Sequence, residues 1–207
     1  MKIISHRGYW KDAKEKNTLE AFSRSFDKGF GTETDIRDYK GKLVISHDVS
    51  DENCILLSDF FQCLAGRNLT LALNIKADGL RDLLVKEMES FNITNAFVFD
   101  MSVPDQKLYY EQSAVRVYTR MSEQERYPAF YQESHGVWLD SFFEHWYDET
   151  DIEKILSDGK ELCIVSPELH KRNHLDFWGN LKERGISDSD KVVLCTDFPE
   201  DAVTFFR

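Results

Sequence analysis

Short apolar runs alternate with amphipathic stretches from one end of the chain to the other. Residues 2–5 read as a first strand. Residues 18–28 read as a helix with Leu19, Phe22 and Phe26 on one face, started by a capping box of Asn17 and Glu20 and ended at Gly29. Residues 32–36 read as a second strand, and 43–46 as a short extra strand after a turn at Lys40-Gly41. Further strand-like runs lie at 70–75, 96–99, 115–118, 137–139, 162–165 and 192–195. Helical patterns intervene at 57–64, 80–89, 105–112, 122–130, 149–157, 175–184 and 200–205.

Eight principal strand-like runs thus alternate with helices, beside the extra one at 43–46. Strict alternation predicts parallel strands and an α/β fold. Eight units in 207 residues predict a compact (β/α)8 TIM barrel, one domain over 1–207, with helices and loops shorter than in the typical barrel of ~250 residues. An open doubly wound sheet is the architectural alternative.

Strands of a parallel sheet covered on both sides are nearly all apolar, so the polar exceptions are informative. Glu33 and Asp35 lie two apart on one strand and point to the same face. Two like charges on an enclosed face drive one towards protonation unless a cation sits between them, and all-oxygen ligands suit Mg²⁺ or Ca²⁺. His6 follows the first strand, His47 follows the extra strand, and Asn74 and Lys76 repeat the two-residue polar spacing on the third. Barrel active sites are built at such C-terminal strand ends. Taken singly, each residue has a plainer reading. The histidines are satisfied core residues, Arg7 pairs with Asp35 or Glu33, Lys76 snorkels to solvent, and Gly8 permits a tight turn. Together they supply what is needed to hold a divalent cation against a phosphate and move protons on either side of it.

Composition narrows the partners. Hydrophobic content of 42% supports a sizeable core, and a net charge of −11 supplies no footprint for nucleic acid or anionic membranes. The four cysteines, Cys54, Cys63, Cys163 and Cys195, form no CxxC pair or zinc spacing. Cys163 and Cys195 sit in apolar runs as small hydrophobes. No apolar run approaches the ~18 residues of a membrane span, and the first strand begins at Lys2, without room for a signal peptide. The expectation is a cytoplasmic protein with reduced thiols and a small-molecule substrate. Nothing in the pattern specifies an oligomer.

These residues bring a family into view. The chain resembles the glycerophosphodiester phosphodiesterases, which share a barrel fold with phosphatidylinositol-specific phospholipases C. His6-Arg7-Gly8 is similar to the family's HRG, Asn17-Thr18-Leu19-Glu20-Ala21-Phe22 to its NTLEAF and Glu33-Thr34-Asp35 to its metal-binding ExD. His47-Asp48 is similar to its HD, Ile75-Lys76 to the end of its EIK strand, and Thr196-Asp197-Phe198-Pro199 to its closing TDxP. The ordered set runs from the first strand to the last. Two positions depart from the pattern: Lys16 stands where the family usually has Glu, and Asn74 replaces the Glu that is usually a third metal ligand. An amide oxygen still coordinates Mg²⁺ or Ca²⁺ but brings no charge, so weaker metal binding is expected.

The resemblance implies a division of roles. Glu33 and Asp35, with Asn74, hold one divalent cation. Arg7 and Lys76 bind phosphate oxygens, and His6 and His47 share the acid and base roles. A hydroxyl next to the ester acts as internal nucleophile, and water opens the resulting cyclic phosphate. Arg120, Asp140 and Glu168 follow the fifth, sixth and seventh strands as candidates for leaving-group recognition, or as exposed loop charges. Asp48, Asp140 and Glu168 are candidates to offset the missing carboxylate at position 74. Tyr9, Trp10 and Trp138 form an aromatic wall or simply pack. The leading expectation is metal-dependent hydrolysis of a glycerophosphodiester to a phosphomonoester and an alcohol. The alternatives are a phosphodiesterase of cell-surface polysaccharide synthesis, or a catalytically reduced relative that binds without turnover.

Overall fold

The computed structural model of the protein describes residues 1–112 and 115–207. Its strands are β1 (Lys2–His6), β2 (Gly31–Tyr39), β3 (Lys42–Ile45), β4 (Ile55–Leu56), β5 (Leu71–Ile75), β6 (Ala96–Phe99), β7 (Arg116–Met121), β8 (Gly136–Leu139), β9 (Glu161–Val165) and β10 (Val192–Thr196). The helices are α1 (Leu19–Asp27), α2 (Leu57–Leu64), α3 (Arg81–Ser90), α4 (Val103–Gln112), α5 (Glu149–Ser157), α6 (Leu175–Glu183) and α7 (Pro199–Phe206). The pairings β2–β5, β5–β6, β6–β7, β7–β8, β8–β9 and β9–β10 are parallel. Strand β1 pairs with both β10 and β2, so these eight strands leave no edge. This is the (β/α)8 fold. The hairpin strands β3 and β4 extend β2 by antiparallel pairing.

Contacts group the chain into two compact units, residues 5–117 and residues 1–4 with 118–207. In the first, Phe22 and Phe26 of α1 lie one turn apart and reach Phe60 of α2, the Phe22 and Phe60 rings meeting edge-to-face at 4.6 Å. Leu71, Leu73, Val98 and Val117 complete this core. Burying each of these phenylalanines stabilises the unit by about 1.5–3 kcal/mol, which a polar residue at Phe60 would forfeit. In the second unit, Trp178 of α6 is buried with Leu139, Ile164 and Leu194 on the strands and Ile152 of α5. The indole N–H of Trp178 is satisfied by Ser166 Oγ at 2.9 Å. Cys163 and Cys195 are buried as expected, and none of the four cysteines is in a disulfide.

Three expectations are corrected. Residues 122–130 are not helical: β7 turns back on itself, with Ser122 and Glu125 exchanging backbone hydrogen bonds and Ser122 Oγ capturing the Gln124 N–H. Pro128 disfavours helix at Tyr127, and Phe130 is left-handed at φ 58°. Helix α1 starts at Leu19, capped by Thr18, whose Oγ1 accepts from the Ala21 N–H at 3.3 Å, so Asn17 is not the cap. Leu19 is exposed, and the apolar face of α1 is Ala21, Phe22 and Phe26.

Candidate functional site

The turn after β1 sets the first side chains. Arg7 is left-handed (φ 58°), its N–H bonded to the Glu33 carbonyl at 3.0 Å and its own carbonyl accepting from the Asn17 N–H at 2.9 Å. Gly8 follows at φ 82°, and a Cβ there would lie 2.7 Å from Ala21 Cβ. Glycine is therefore required at that crossing by both torsion and space. Further along, the backbone is left-handed at Asn17 (φ 59°) and at Asp100 (φ 72°), just past the end of β6. Left-handed non-glycine residues are uncommon, and three of them here carry side chains of one cluster.

That cluster is built across β2 and β5, where Asp35 and Asn74 are register partners. Glu33, Asp35 and Asn74 are all buried. Asp35 Oδ2 forms an ion pair with Arg7 Nε at 3.0 Å and accepts a hydrogen bond from Asn17 Nδ2 at 2.9 Å. Lys76 lies between two carboxylates, its Nζ 3.6 Å from Asp35 Oδ1 and 3.5 Å from Asp100 Oδ2. Asn74 Nδ2 makes a long 3.5 Å contact to Glu33 Oε1, and His6 Nε2 stands 3.9 Å from Glu33 Oε2. Burial first, and then the negative charge of Asp35, push the Glu33 carboxyl up to about 8, with Arg7 and Lys76 opposing.

Three buried oxygens of this cluster, Glu33 Oε2, Asp35 Oδ1 and Asn74 Oδ1, accept no hydrogen bond. Leaving such acceptors unsatisfied is costly, and a hard cation with oxygen ligands is one way to satisfy all three. The donor set thus fits Mg²⁺ or Ca²⁺. Its charge is low, since Asn74 offers a neutral amide oxygen, and among the described residues no group of three His, Cys, Asp or Glu side chains is placed to share a metal ion. Arg7 and Lys76 against Glu33, Asp35 and Asp100 leave one net negative charge when all are ionised. One divalent cation turns that into one net positive charge, which matches a phosphodiester monoanion.

His47 follows β3, where the Ser46 N–H bonds to the Asp35 carbonyl at 3.0 Å. Its Nδ1 lies 2.9 Å from Asp48 Oδ1, and the side chain is about half exposed at 49%. With that carboxylate at Nδ1, the neutral imidazole carries its proton there and keeps Nε2 as the acceptor. Arg7 and His47 line one open cavity of about 490 Å³. Seven predicted residues, His6, Arg7, Glu33, Asp35, His47, Asn74 and Lys76, thus fall in the unit of residues 5–117.

Arg120 and Glu168 belong to the other unit. Arg120 lies 3.5 Å from Glu125 and 5.8 Å over the Phe142 ring. Glu168 is committed locally: Oε1 accepts from Thr196 Oγ1 and the Asp197 N–H, and Oε2 from Ser166 Oγ. It braces the ends of β9 and β10. Asp140 is bonded to His170 Nε2 at 2.7 Å, and Asp48 to His47. Of the aromatic candidates, Tyr9 packs edge-on to Phe30, Trp138 is buried, and Trp10 donates its indole N–H to the His6 carbonyl at 3.2 Å.

Asn17 and Asp100 are the members that the sequence pattern did not single out for the site. Asn17 was readable as a cap, and its place in the NTLEAF-like string was the available signal. Asp100 had only its position after an apolar strand. No helix among the described residues is long and apolar enough to cross a membrane.

No protein-family model matches the chain, and no curated protein does. Solved structures do. A glycerophosphodiester phosphodiesterase from Agrobacterium tumefaciens aligns with a TM-score of 0.73 at 16% identity, over 99% of this chain and 98% of that one. A phosphodiesterase from Oleispira antarctica, in complex with the product sn-glycerol-3-phosphate, aligns with a TM-score of 0.71 at 14% identity, over 99% and 96%. A mutant tryptophan synthase α-subunit from Pyrococcus furiosus also aligns, with a TM-score of 0.57 at 12% identity over 99% and 94%. At such identities the likeness is one of fold, and a fold hosts many reactions.

Proposed function

We propose that this chain is a metal-dependent phosphodiesterase that hydrolyses a glycerophosphodiester, or a closely related diester, to a phosphomonoester and an alcohol. The observation that carries the reading is the set of three unsatisfied buried oxygens, Glu33 Oε2, Asp35 Oδ1 and Asn74 Oδ1, beside the two cations Arg7 and Lys76. The Oleispira structure with its glycerol phosphate product is consistent with a substrate of this size.

Glu33, Asp35 and Asn74 would hold one Mg²⁺ or Ca²⁺, which when bound stabilises negative charge on a phosphate oxygen. Arg7 and Lys76 bind the remaining phosphate oxygens, with Asn17 and Asp100 positioning them through Asp35 and directly at Nζ. His47 takes the proton of the attacking hydroxyl at Nε2, since Asp48 fixes the proton on Nδ1. His6 protonates the departing alkoxide. An attacking hydroxyl within the substrate forms a cyclic phosphate, and the two histidines then exchange roles as water opens it.

The test is release of glycerol phosphate and free alcohol from a panel of glycerophosphodiesters, with Mg²⁺, with Ca²⁺ and with chelator, and with His47→Ala as control. Metal-dependent turnover that disappears in the control supports the reading. Metal and diester binding without turnover on any member would overturn it in favour of a phosphodiester-binding protein. Asn74 is the residue that favours that second reading, because it lowers the charge available to the metal.

A further inference from the structure

Building on that phosphodiesterase reading, we propose that Arg37 is a positioning residue for His47. It would hold the backbone of the histidine that takes the proton of the attacking hydroxyl. His47 lies outside the regular strands, in the connection 46–54 between β3 and β4. Burial does little to anchor it there. Its side chain is about half exposed, and Val49, two residues on, is 88% exposed. A proton acceptor works only within hydrogen-bond reach, ~2.6–3.2 Å, of the proton it takes. Polar ties must therefore supply the precision that packing does not.

Those ties come largely from β2. The Ser46 N–H bonds to the Asp35 carbonyl at 3.0 Å, which fixes the residue before His47. Arg37 fixes His47 itself: its Nε and Nη2 both donate to the His47 carbonyl, at 3.4 and 3.3 Å. Ser46 Oγ closes the turn on the Asp48 carbonyl at 2.9 Å. Each Arg37 bond is long, but two donors of one rigid planar fork on one carbonyl set direction as well as distance. Arg37 lies two residues beyond Asp35 on β2, so its side chain leaves from the face that carries Glu33 and Asp35. One strand thereby carries two of the proposed metal ligands and, through Arg37, sets the proton acceptor.

The experiment measures kcat and KM on a glycerophosphodiester at saturating metal. The enzymes are wild type, Arg37→Ala, Arg37→Lys, His47→Ala and the double alanine variant. Arg37→Ala should lower kcat about ten-fold, less than the ~10²-fold that a 1 Å misplacement costs, with KM nearly unchanged. Arg37→Lys, which keeps one donor, should recover part of the loss. In the His47→Ala background, Arg37→Ala should cost nothing further, since residues that act as one unit are not additive. A rise in KM at constant kcat would make Arg37 a substrate contact, and an equal loss in both backgrounds would make it a general support. Either result would overturn the inference. If wild type shows no turnover, the phosphodiesterase reading fails by itself, and NMR relaxation decides the positioning. The His47 amide order parameter should fall from about 0.85, the value of rigid backbone, to about 0.6 or below in Arg37→Ala. A value unchanged by the substitution would end it.

Discussion

Asn17 holds Asp35. Its amide nitrogen donates to Asp35 Oδ2 at 2.9 Å, while its carbonyl oxygen accepts from Thr34 Oγ1 at 2.9 Å. One side chain, at the residue before the cap of α1, thus grips two neighbouring residues of β2. It leaves Asp35 Oδ1 facing Lys76 and the cluster of unsatisfied oxygens.

Asn17→Ala should therefore lower stability by about 1–2 kcal/mol, from a lost bond to a buried carboxylate and a left-handed backbone that alanine disfavours. Activity should fall further than metal-saturated stability alone explains. Asn17→Asp should be worse in metal-free protein, since it sets a like charge against Asp35. Denaturant midpoints and kcat at saturating metal check both.

Glu33 should make metal-free stability fall as pH rises. Its folded carboxyl is pushed up to about 8 from an ordinary value of 4.5. Between those values the folded chain keeps a proton that the unfolded chain has lost, so stability is full below the lower value and declines through the upper one. In chelator, Glu33→Gln should flatten this window. Denaturation at a series of pH values across about pH 5–9 reads it directly.

Metal binding should release close to one proton per site near neutral pH, because Glu33 must ionise to ligate. Calorimetry in buffers of different ionisation enthalpy measures the number. Absence of proton release, with metal bound, would take Glu33 out of the ligand set.

Asn74→Asp should tighten metal binding by about ten-fold or more by adding a third carboxylate. The same change should lower metal-free stability, as three acids then crowd one buried face. Metal titration and thermal melts with and without chelator separate the two effects.

His6→Ala and His47→Ala should each lower kcat by ~10²-fold or more under metal saturation. Asp48→Asn should cost less, because Asp48 is 93% exposed and water competes for His47 Nδ1. Turnover near wild type in either alanine variant would remove that histidine from the mechanism.

Much of this protein was legible in order along the chain. The alternation of apolar runs with amphipathic stretches determined an α/β chain of parallel strands, because strand and helix periods are local properties. The same-face placement of Glu33 and Asp35 followed from the two-residue period of a strand. What failed locally, the helix at 122–130, failed where Ser122 and Glu125 closed a turn and Pro128 barred continuation. The tertiary structure alone decided which charges answer one another. Asp100 reaches Lys76 from the next strand, Asn17 leaves its helix to hold Asp35, and Glu168 is drawn into bracing Ser166 and Thr196. Sequence spacing carries direction within one element, whereas hydrogen bonds and ion pairs depend on distances between elements that only packing sets.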